Sequence, residues 1–139
     1  MKQEQKVLTI STHSQGPTEI TGEVEKVVHE SGVETGLCVV FVQHTSASLV
    51  IQENADPSAR RDIQDFLSRL APEGDPHYTH TSEGPDDMPS HLRSVLTNVS
   101  ITIPVAGGRP ALGTWQGIYL WEHRRRDHRR RVLVHVTGE

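Results

Sequence analysis

The chain has 139 residues, of which 34% are hydrophobic and 23% charged, and its formal net charge is −4. These values are typical of one globular domain, 1–139, with a sizeable core, and they exclude binding to nucleic acid through overall charge. There is no run of roughly 20 apolar residues that could cross a bilayer, and MKQEQKVLTI has no apolar segment of the kind found in signal peptides, so we expect a cytoplasmic protein with no membrane partner.

The first part of the chain alternates β-rich runs with one helix. KVLTIST (6–12) alternates apolar and polar residues like a half-buried strand. Four apolar residues at helical spacing then predict a helix over 19–32, with Thr18 as its N-cap. GLCVVFVQHT (36–45) reads as a strand covered on both faces, and SLVIQEN (48–54) as the next strand.

The second part begins with a strong helix start. Asp56 supplies an N-cap carboxylate and Pro57 occupies the first helical position, so we predict a helix to about residue 70. Its predicted apolar stripe is Ala59, Ile63, Phe66, Leu67 and Leu70. Pro89 begins a short amphipathic helix with the stripe Leu92, Val95 and Leu96. Strands are predicted over 100–105, 111–123 and 130–136, which makes an α+β domain of about six strands and three helices.

Three of the nine histidines have contexts that suggest a site. His44 ends a buried strand and is followed by small hydroxyl residues, including Thr45 and Ser46. His80 lies in a loop rich in glycine and acids, and His91 falls early on the helix that Pro89 starts. Three imidazoles with an open fourth position are a common catalytic zinc arrangement. No HxxxH or HExxH motif fixes two ligands on one helix face, so the spacing alone also allows three unconnected histidines.

The remaining histidines and the nearby acids have plain structural interpretations as well. We expect His123, His128 and His135 to be solvated, and His13, His29 and His77 to lie in loops or at exposed helix ends. The acids are candidates for orienting imidazoles, for holding magnesium or for acting as bases: Glu53, Asp56, Asp62, Asp86 and Asp87. Asp56 is equally a helix cap, and Asp86 with Asp87 is equally a turn.

Two further segments offer binding chemistry. In LGTWQ (112–116), Trp115 could form the floor of a ring-binding pocket while Gln116 reads a polar edge, or Trp115 could be a core residue and Gln116 a surface residue. The segment RRRDHRRR (124–131) carries most of the basic charge. Phosphate or nucleic acid could bind there, but few aromatics accompany the arginines, which favours a charged hairpin loop and makes a nucleic-acid partner a weak expectation.

Three blocks of the sequence together resemble the signature of a known family. FVQHTSASLVIQENADP, YTHTSEGPDDMPSHLR and ITIPVAGGRPALGTWQGIYLWEH are similar, in this order, to the blocks of the YjbQ-like family, whose members are often labelled secondary thiamine-phosphate synthases. The resemblance spans nearly the whole chain. It implies an α+β fold, a β-sandwich of half-barrel shape with helices packed outside, assembled as a homotrimer.

The resemblance also implies a site. His44, His80 and His91 would cluster in a polar pocket that holds a metal or an anion, with Asp62 as a further catalytic residue. We predict substrate contacts from Thr45, Ser46, Asn54, Asp56, Trp115 and Gln116, and Glu122 matches the last block. The arginine segment is longer and more basic than the family's usual turn, so no phosphate role is carried over to it.

These implications predict a thiamine phosphate synthase-type transferase that acts on phosphorylated small molecules with a divalent metal. Imidazole ligands favour zinc, with magnesium as the alternative. That mismatch between imidazole and magnesium makes thiamine phosphate synthesis a candidate side activity. The competing hypothesis is a non-catalytic protein that binds a metal or a phosphorylated metabolite.

Overall fold

A computed structural model describes all 139 residues and contains eight strands and three helices. The elements are β1 (Lys2–Thr12), β2 (Gly16–Glu19), α1 (Thr21–Ser31), β3 (Thr35–Val42), β4 (Ala47–Glu53), α2 (Pro57–Leu70), α3 (Asp87–Leu96), β5 (Ser100–Ala106), β6 (Arg109–Pro110), β7 (Gln116–Glu122) and β8 (His128–Gly138). The two strands beyond the predicted six are β2 and β6, whose four and two residues are too short to show a periodic pattern.

The strands form two antiparallel sheets. The larger sheet has the order β1-β8-β3-β5-β6 and the smaller one the order β2-β7-β4. The larger sheet curls into a half-barrel, and the two sheets enclose most of a core cluster of 17 buried residues. The predicted α+β class and the half-barrel sandwich are therefore confirmed.

Helix α1 closes the core as its apolar spacing predicts. Val24, Val27 and Val28 are at most 1% exposed, and each buried side chain of this size contributes roughly 1.5–3 kcal/mol. The helix ends at Gly32, whose φ of 70° is left-handed and suits a residue without Cβ. The predicted N-cap is wrong, because Thr18 pairs with β7 as part of β2 and Ile20 occupies the cap position.

The predicted apolar stripe is partly confirmed for α2, where Leu67 is buried and Ile63 packs beside it, and is wrong for α3. On α2, Phe66 and Leu70 are 53% and 52% exposed. On α3, Val95 is 80% exposed, whereas the polar residues Ser90 and Arg93 are buried. The predicted stripe of α3 is therefore wrong. The helix packs through hydrogen bonds from polar side chains to backbone carbonyls, which a pattern of apolar spacing cannot reveal.

The polar face of α3 ties it to β4 and to the loop after α2. Ser94 Oγ donates to the carbonyl of Ala47 at 3.3 Å, and Arg93 Nη2 donates to the carbonyl of Ala71 at 2.9 Å. Residues 111–115 were predicted as strand but form a turn that precedes β7. None of the three helices combines the length and apolar character needed to cross a membrane.

Candidate functional site

Two histidines and one aspartate converge at the start of α3. Nε2 of His80 lies 2.9 Å from Oδ2 of Asp87, and Nε2 of His91 lies 3.1 Å from the same oxygen. The two imidazole centroids are 5.4 Å apart. The carboxylate of Glu83 lies at the edge of this group, with Oε2 3.7 Å from Nε2 of His80. The sequence pattern pointed to both histidines, and the structure brings them together.

Each member is held by the local fold. Asp87 and His91 are four residues apart on α3, so their side chains share one helix face. His91 Nδ1 lies 3.0 Å from the carbonyl oxygen of Thr45, which follows β3. Because a carbonyl only accepts, Nδ1 must carry a hydrogen, which leaves Nε2 to bind a metal ion through its lone pair or, in the protonated ring, to donate to Asp87.

Asp87 is fixed from the opposite side by the arginine segment. Its Oδ1 accepts from Nη1 of Arg124 at 2.7 Å, and only 3% of the side chain is exposed. Burial opposes ionisation of Asp87, but the charges of His91 and Arg124 prevail and keep the pKa of the carboxyl below its usual value. Asp87 is therefore an anion whose second oxygen, Oδ2, faces both histidines.

The geometry of this group suits a divalent cation. The ligand atoms of His80, Glu83, Asp87 and His91 all lie within 4.8 Å of one another. Zinc held at about 2.0–2.1 Å by imidazole nitrogens and carboxylate oxygens separates neighbouring ligand atoms by about 3.3 Å, close to the separations described above. Two imidazoles and a carboxylate form a donor set suited to zinc or another borderline metal, and less suited to magnesium.

His44, the third predicted ligand, lies outside this donor set. Its Nε2 accepts from the backbone N–H of Arg131 at 2.8 Å, and its Nδ1 lies 3.3 Å from Nη1 of Arg130. Burial and the charge of Arg130 lower the pKa of the ring, so His44 is neutral. His44 and His91 nevertheless line one cleft of about 450 Å³, together with Thr45, Ser94, Val95, Thr97 and Val99.

The predicted substrate contacts divide between the two ends of β4. Thr45 and Ser46 precede the strand and lie beside the histidines, as described for Thr45 above. Asn54 and Gln116 lie at the other end, where Glu53 pairs with Gln116. The length of β4 separates the two ends by about 20 Å at roughly 3.3 Å per residue. In one chain, the predicted contacts therefore do not form a single pocket.

The residues at the far end stabilise local structure. Asn54 Nδ2 donates to the carbonyls of Thr114 and Gln116, both at 3.3 Å, and Gln116 Oε1 accepts from the N–H of Gly113 at 2.8 Å. These bonds close the turn that holds Trp115, which is 65% exposed and therefore not a core residue.

The two predicted acids of the α2 region are also distant from the donor group. Asp56 caps α2, since Oδ1 accepts from the N–H of Ser58 at 2.9 Å. Asp62 is exposed on α2 and is not a member of the donor group.

The sequence suggested that the arginine segment is a solvated loop, but part of the segment is buried. Arg130 is 3% exposed and pairs through Nε and Nη2 with Glu122, which is fully buried. His123 is also buried, contrary to the prediction, with Nε2 2.8 Å from Oγ of Ser48, and burial lowers the pKa of its ring to about 3. His123 directly follows β7 and Arg130 lies on β8, so both side chains reach the interior, which the run of arginines in the sequence conceals.

Comparison with known proteins agrees with the fold and with the signature blocks. The family model described as UPF0047 protein YjbQ-like matches residues 6–139. The chain belongs to this family. Family membership, which the three sequence blocks suggested, is therefore confirmed.

Relatives and solved structures of the family cover nearly the whole chain. The UPF0047 protein sll1880 of Synechocystis sp. is 53% identical over 99% of this chain and 94% of its own length. The UPF0047 protein YjbQ of Escherichia coli O157:H7 is 43% identical over 97% and 98%, respectively. A crystal structure of a hypothetical protein from Aeropyrum pernix K1 has a TM-score of 0.89 at 34% identity and covers 98% of this chain and 99% of its own.

Sequence reasoning did not single out Arg124 and Arg130. Arg124 orients the carboxylate between the histidines, and Arg130 stands beside His44. The signal was present in Asp86-Asp87 and in Glu122, because buried carboxylates require cationic partners and the arginine segment is the obvious source.

Proposed function

We propose that this chain is a divalent-metal-dependent transferase of the thiamine phosphate synthase type, with His80, Asp87 and His91 as metal ligands. One observation carries the proposal. Nδ1 of His91 is engaged by the carbonyl of Thr45, and Nε2 faces Oδ2 of Asp87 at 3.1 Å. A positive charge must join this nitrogen to the carboxylate oxygen, either the proton of an imidazolium or a metal ion, and the meeting of two imidazoles on one carboxylate oxygen favours the metal ion. A metal ion also satisfies His80, which meets the same oxygen.

The surroundings of the donor group suit a phosphorylated substrate. A second cleft, of about 480 Å³, begins at Glu83 and is lined by Arg124, Arg125 and Arg126. Arg124 and Arg125 are engaged with carboxylates, whereas Arg126 is exposed. The first cleft, beside His91, presents Val95 and Val99 to an uncharged ring. The two clefts together offer arginines to an anionic part of a substrate and valines to an apolar part.

The proposed reaction joins a pyrimidine diphosphate to a thiazole phosphate. The thiazole nitrogen attacks the methylene carbon on the pyrimidine, the carbon–oxygen bond breaks, and pyrophosphate leaves with the electron pair. A bound divalent cation supplies neutralisation of the developing charge. The chain itself orients His91 through Thr45, fixes Asp87 through Arg124, and offers arginines to the departing anion.

We further propose that the chain functions as a homotrimer. The outer face of the larger sheet supports self-association, because Val7, Leu133 and Phe41 align in one row across β1, β8 and β3. This face carries few charges for a chain in which 23% of the residues are charged. Strands β1, β8, β3 and β5 present only Arg129 and Arg131 on it, and both lie at one end. Depletion of charge is typical of the centre of a protein interface. The number three rests on the resemblance to the family.

The test is turnover. Purified protein is incubated with both thiamine precursors and with zinc, magnesium or manganese in turn, and thiamine phosphate is measured by mass spectrometry. We expect product with the wild type and with His29→Ala, an exposed control on α1. His91→Ala should lose about 100-fold or more of the rate. Wild-type protein that binds metal but yields no product with any of the three ions would instead be a non-catalytic binder.

A further inference from the structure

The two ring nitrogens of His44 each face a hydrogen-bond donor, although a neutral imidazole can accept only one hydrogen bond. The backbone N–H of Arg131 donates to Nε2 of His44 at 2.8 Å. Nη1 of Arg130, which also only donates, lies 3.3 Å from Nδ1. A neutral imidazole has one lone pair and one N–H. Since Nε2 uses the lone pair, Nδ1 carries the hydrogen and faces another donor.

The arginine in this contact cannot move away. Its Nε and Nη2 both bond to the buried carboxylate of Glu122, and Nη2 also donates to Oγ and the carbonyl of Ser46, at 3.0 Å and 3.2 Å. Nη1 is the guanidinium nitrogen that bonds to neither residue. The side chain of Arg130 is only 4% exposed. Nδ1 of His44 and Nη1 of Arg130 are therefore two fixed donors that face each other with no acceptor between them.

We propose that His44 Nδ1–H and Arg130 Nη1–H together bind one oxygen of a phosphate or diphosphate group. An acceptor oxygen about 2.8 Å from each nitrogen completes both hydrogen bonds, and bonds of this kind from a guanidinium to phosphate are strong. His44 is partly exposed and lines the cleft that also holds His91. The oxygen therefore approaches from the cleft that His91 also lines.

This assignment separates His44 from the other two histidines. His80 and His91 bind the metal, whereas His44 binds an anionic group of the substrate, so that a diphosphate would extend between them across the cleft. The identity of the ligand as a phosphorylated molecule rests on the proposed function. The binding of an anion by His44 and Arg130 does not require a metal, so the two proposals fail separately.

The test uses pyrophosphate as the probe. Its affinity is measured by calorimetry on full-length protein treated with a chelator, for wild type, His44→Ala, His91→Ala and the control His29→Ala. We expect His44→Ala to weaken pyrophosphate binding about tenfold or more, the equivalent of at least about 1.4 kcal/mol. His29→Ala should bind pyrophosphate like the wild type, and in this metal-free protein His91→Ala should lose less affinity than His44→Ala. Metal content should show the reverse pattern, falling in His91→Ala and staying normal in His44→Ala.

Nitrogen NMR of the wild type gives a second readout that needs no variant. The His44 ring should be the Nδ1–H tautomer, and addition of pyrophosphate should shift its Nδ1 resonance. The proposal is overturned if His44→Ala binds pyrophosphate normally, if the Nδ1 resonance does not respond, or if His44→Ala loses metal as His91→Ala does. If no variant loses metal, while the pyrophosphate affinities change as expected, only the metal site is overturned.

Discussion

At the residue scale, His123 couples the stability of the fold to pH. The folded ring has a pKa of about 3, whereas an unfolded histidine titrates near 6.5. Below pH 6.5 the unfolded chain therefore takes up a proton that the folded chain refuses. The contribution of His123 is complete above pH 6.5 and is lost as pH falls towards 3, by about 1.4 kcal/mol per pH unit.

This dependence is measurable as a difference between variants. Urea unfolding at pH 7, 6, 5 and 4 should show that His123→Gln loses less stability on acidification than the wild type. The amide of glutamine can still bond to Ser48 but does not titrate. His29→Gln serves as the exposed control and should follow the wild type. Equal slopes for His123→Gln and the wild type would show that His123 is not buried as a neutral ring.

A second residue-scale prediction concerns the buried ion pair. Glu122→Ala leaves the guanidinium of Arg130 buried without its carboxylate, so we expect a loss of about 3–5 kcal/mol in the free energy of unfolding. Glu73→Ala breaks a much more exposed pair with Arg125 and should cost no more than about 1 kcal/mol. The comparison is made by urea denaturation at pH 7, and similar losses in both variants would contradict it.

The sequence predicted the histidine pair of the site better than its other members. His80 and His91 stood out because their loop and helix contexts are local properties. The role of Asp87 was left open as a turn or an orienting acid, because only the fold shows that Arg124 and two imidazoles meet on its carboxylate. His123 was misjudged because its arginine neighbours suggested solvent exposure, whereas it directly follows β7, whose last six residues are all buried.

At the element scale, α2 tests whether Asp56 caps a helix or binds substrate. Asp56→Ala removes the acceptor for the N–H of Ser58, so the melting temperature should fall by a few degrees while pyrophosphate and metal binding stay unchanged. Asp62→Ala, on the exposed side of the same helix, should leave the melting temperature unchanged. Loss of pyrophosphate binding in Asp56→Ala without a change in melting would return Asp56 to the site.

The helices also show where prediction from pattern ends. Helix α1 was predicted from its apolar spacing because it packs on the core through valines. Helix α3 was correctly located but wrongly oriented, since it packs through Ser90, Arg93 and Ser94 and exposes Val95 and Leu96. Polar packing of this kind depends on which carbonyls lie opposite, and these belong to β4 and to the loop after α2.

At the scale of the whole molecule, two phenylalanines test the assembly. Phe41 is 40% exposed on the outer face of the larger sheet, and Phe66 is 53% exposed on α2. Phe41→Glu places a negative charge beside the apolar row of this face and should convert the proposed trimer to monomers in light scattering. Phe66→Glu introduces the same change on α2 and should leave the proposed trimer intact. A wild-type protein that is monomeric would contradict the assembly.

The donor set of His80, Asp87 and His91 is the central claim, and metal content measures it most directly. Wild type, His91→Ala and His29→Ala are purified without a tag, and bound metal is determined by mass spectrometry and competitive titration. We predict one zinc ion per chain in the wild type and in His29→Ala, and an affinity about 100-fold or more lower in His91→Ala, which should still melt cooperatively because His91 packs into no apolar cluster. The same metal affinity in all three proteins, or no metal in any, would contradict the claim.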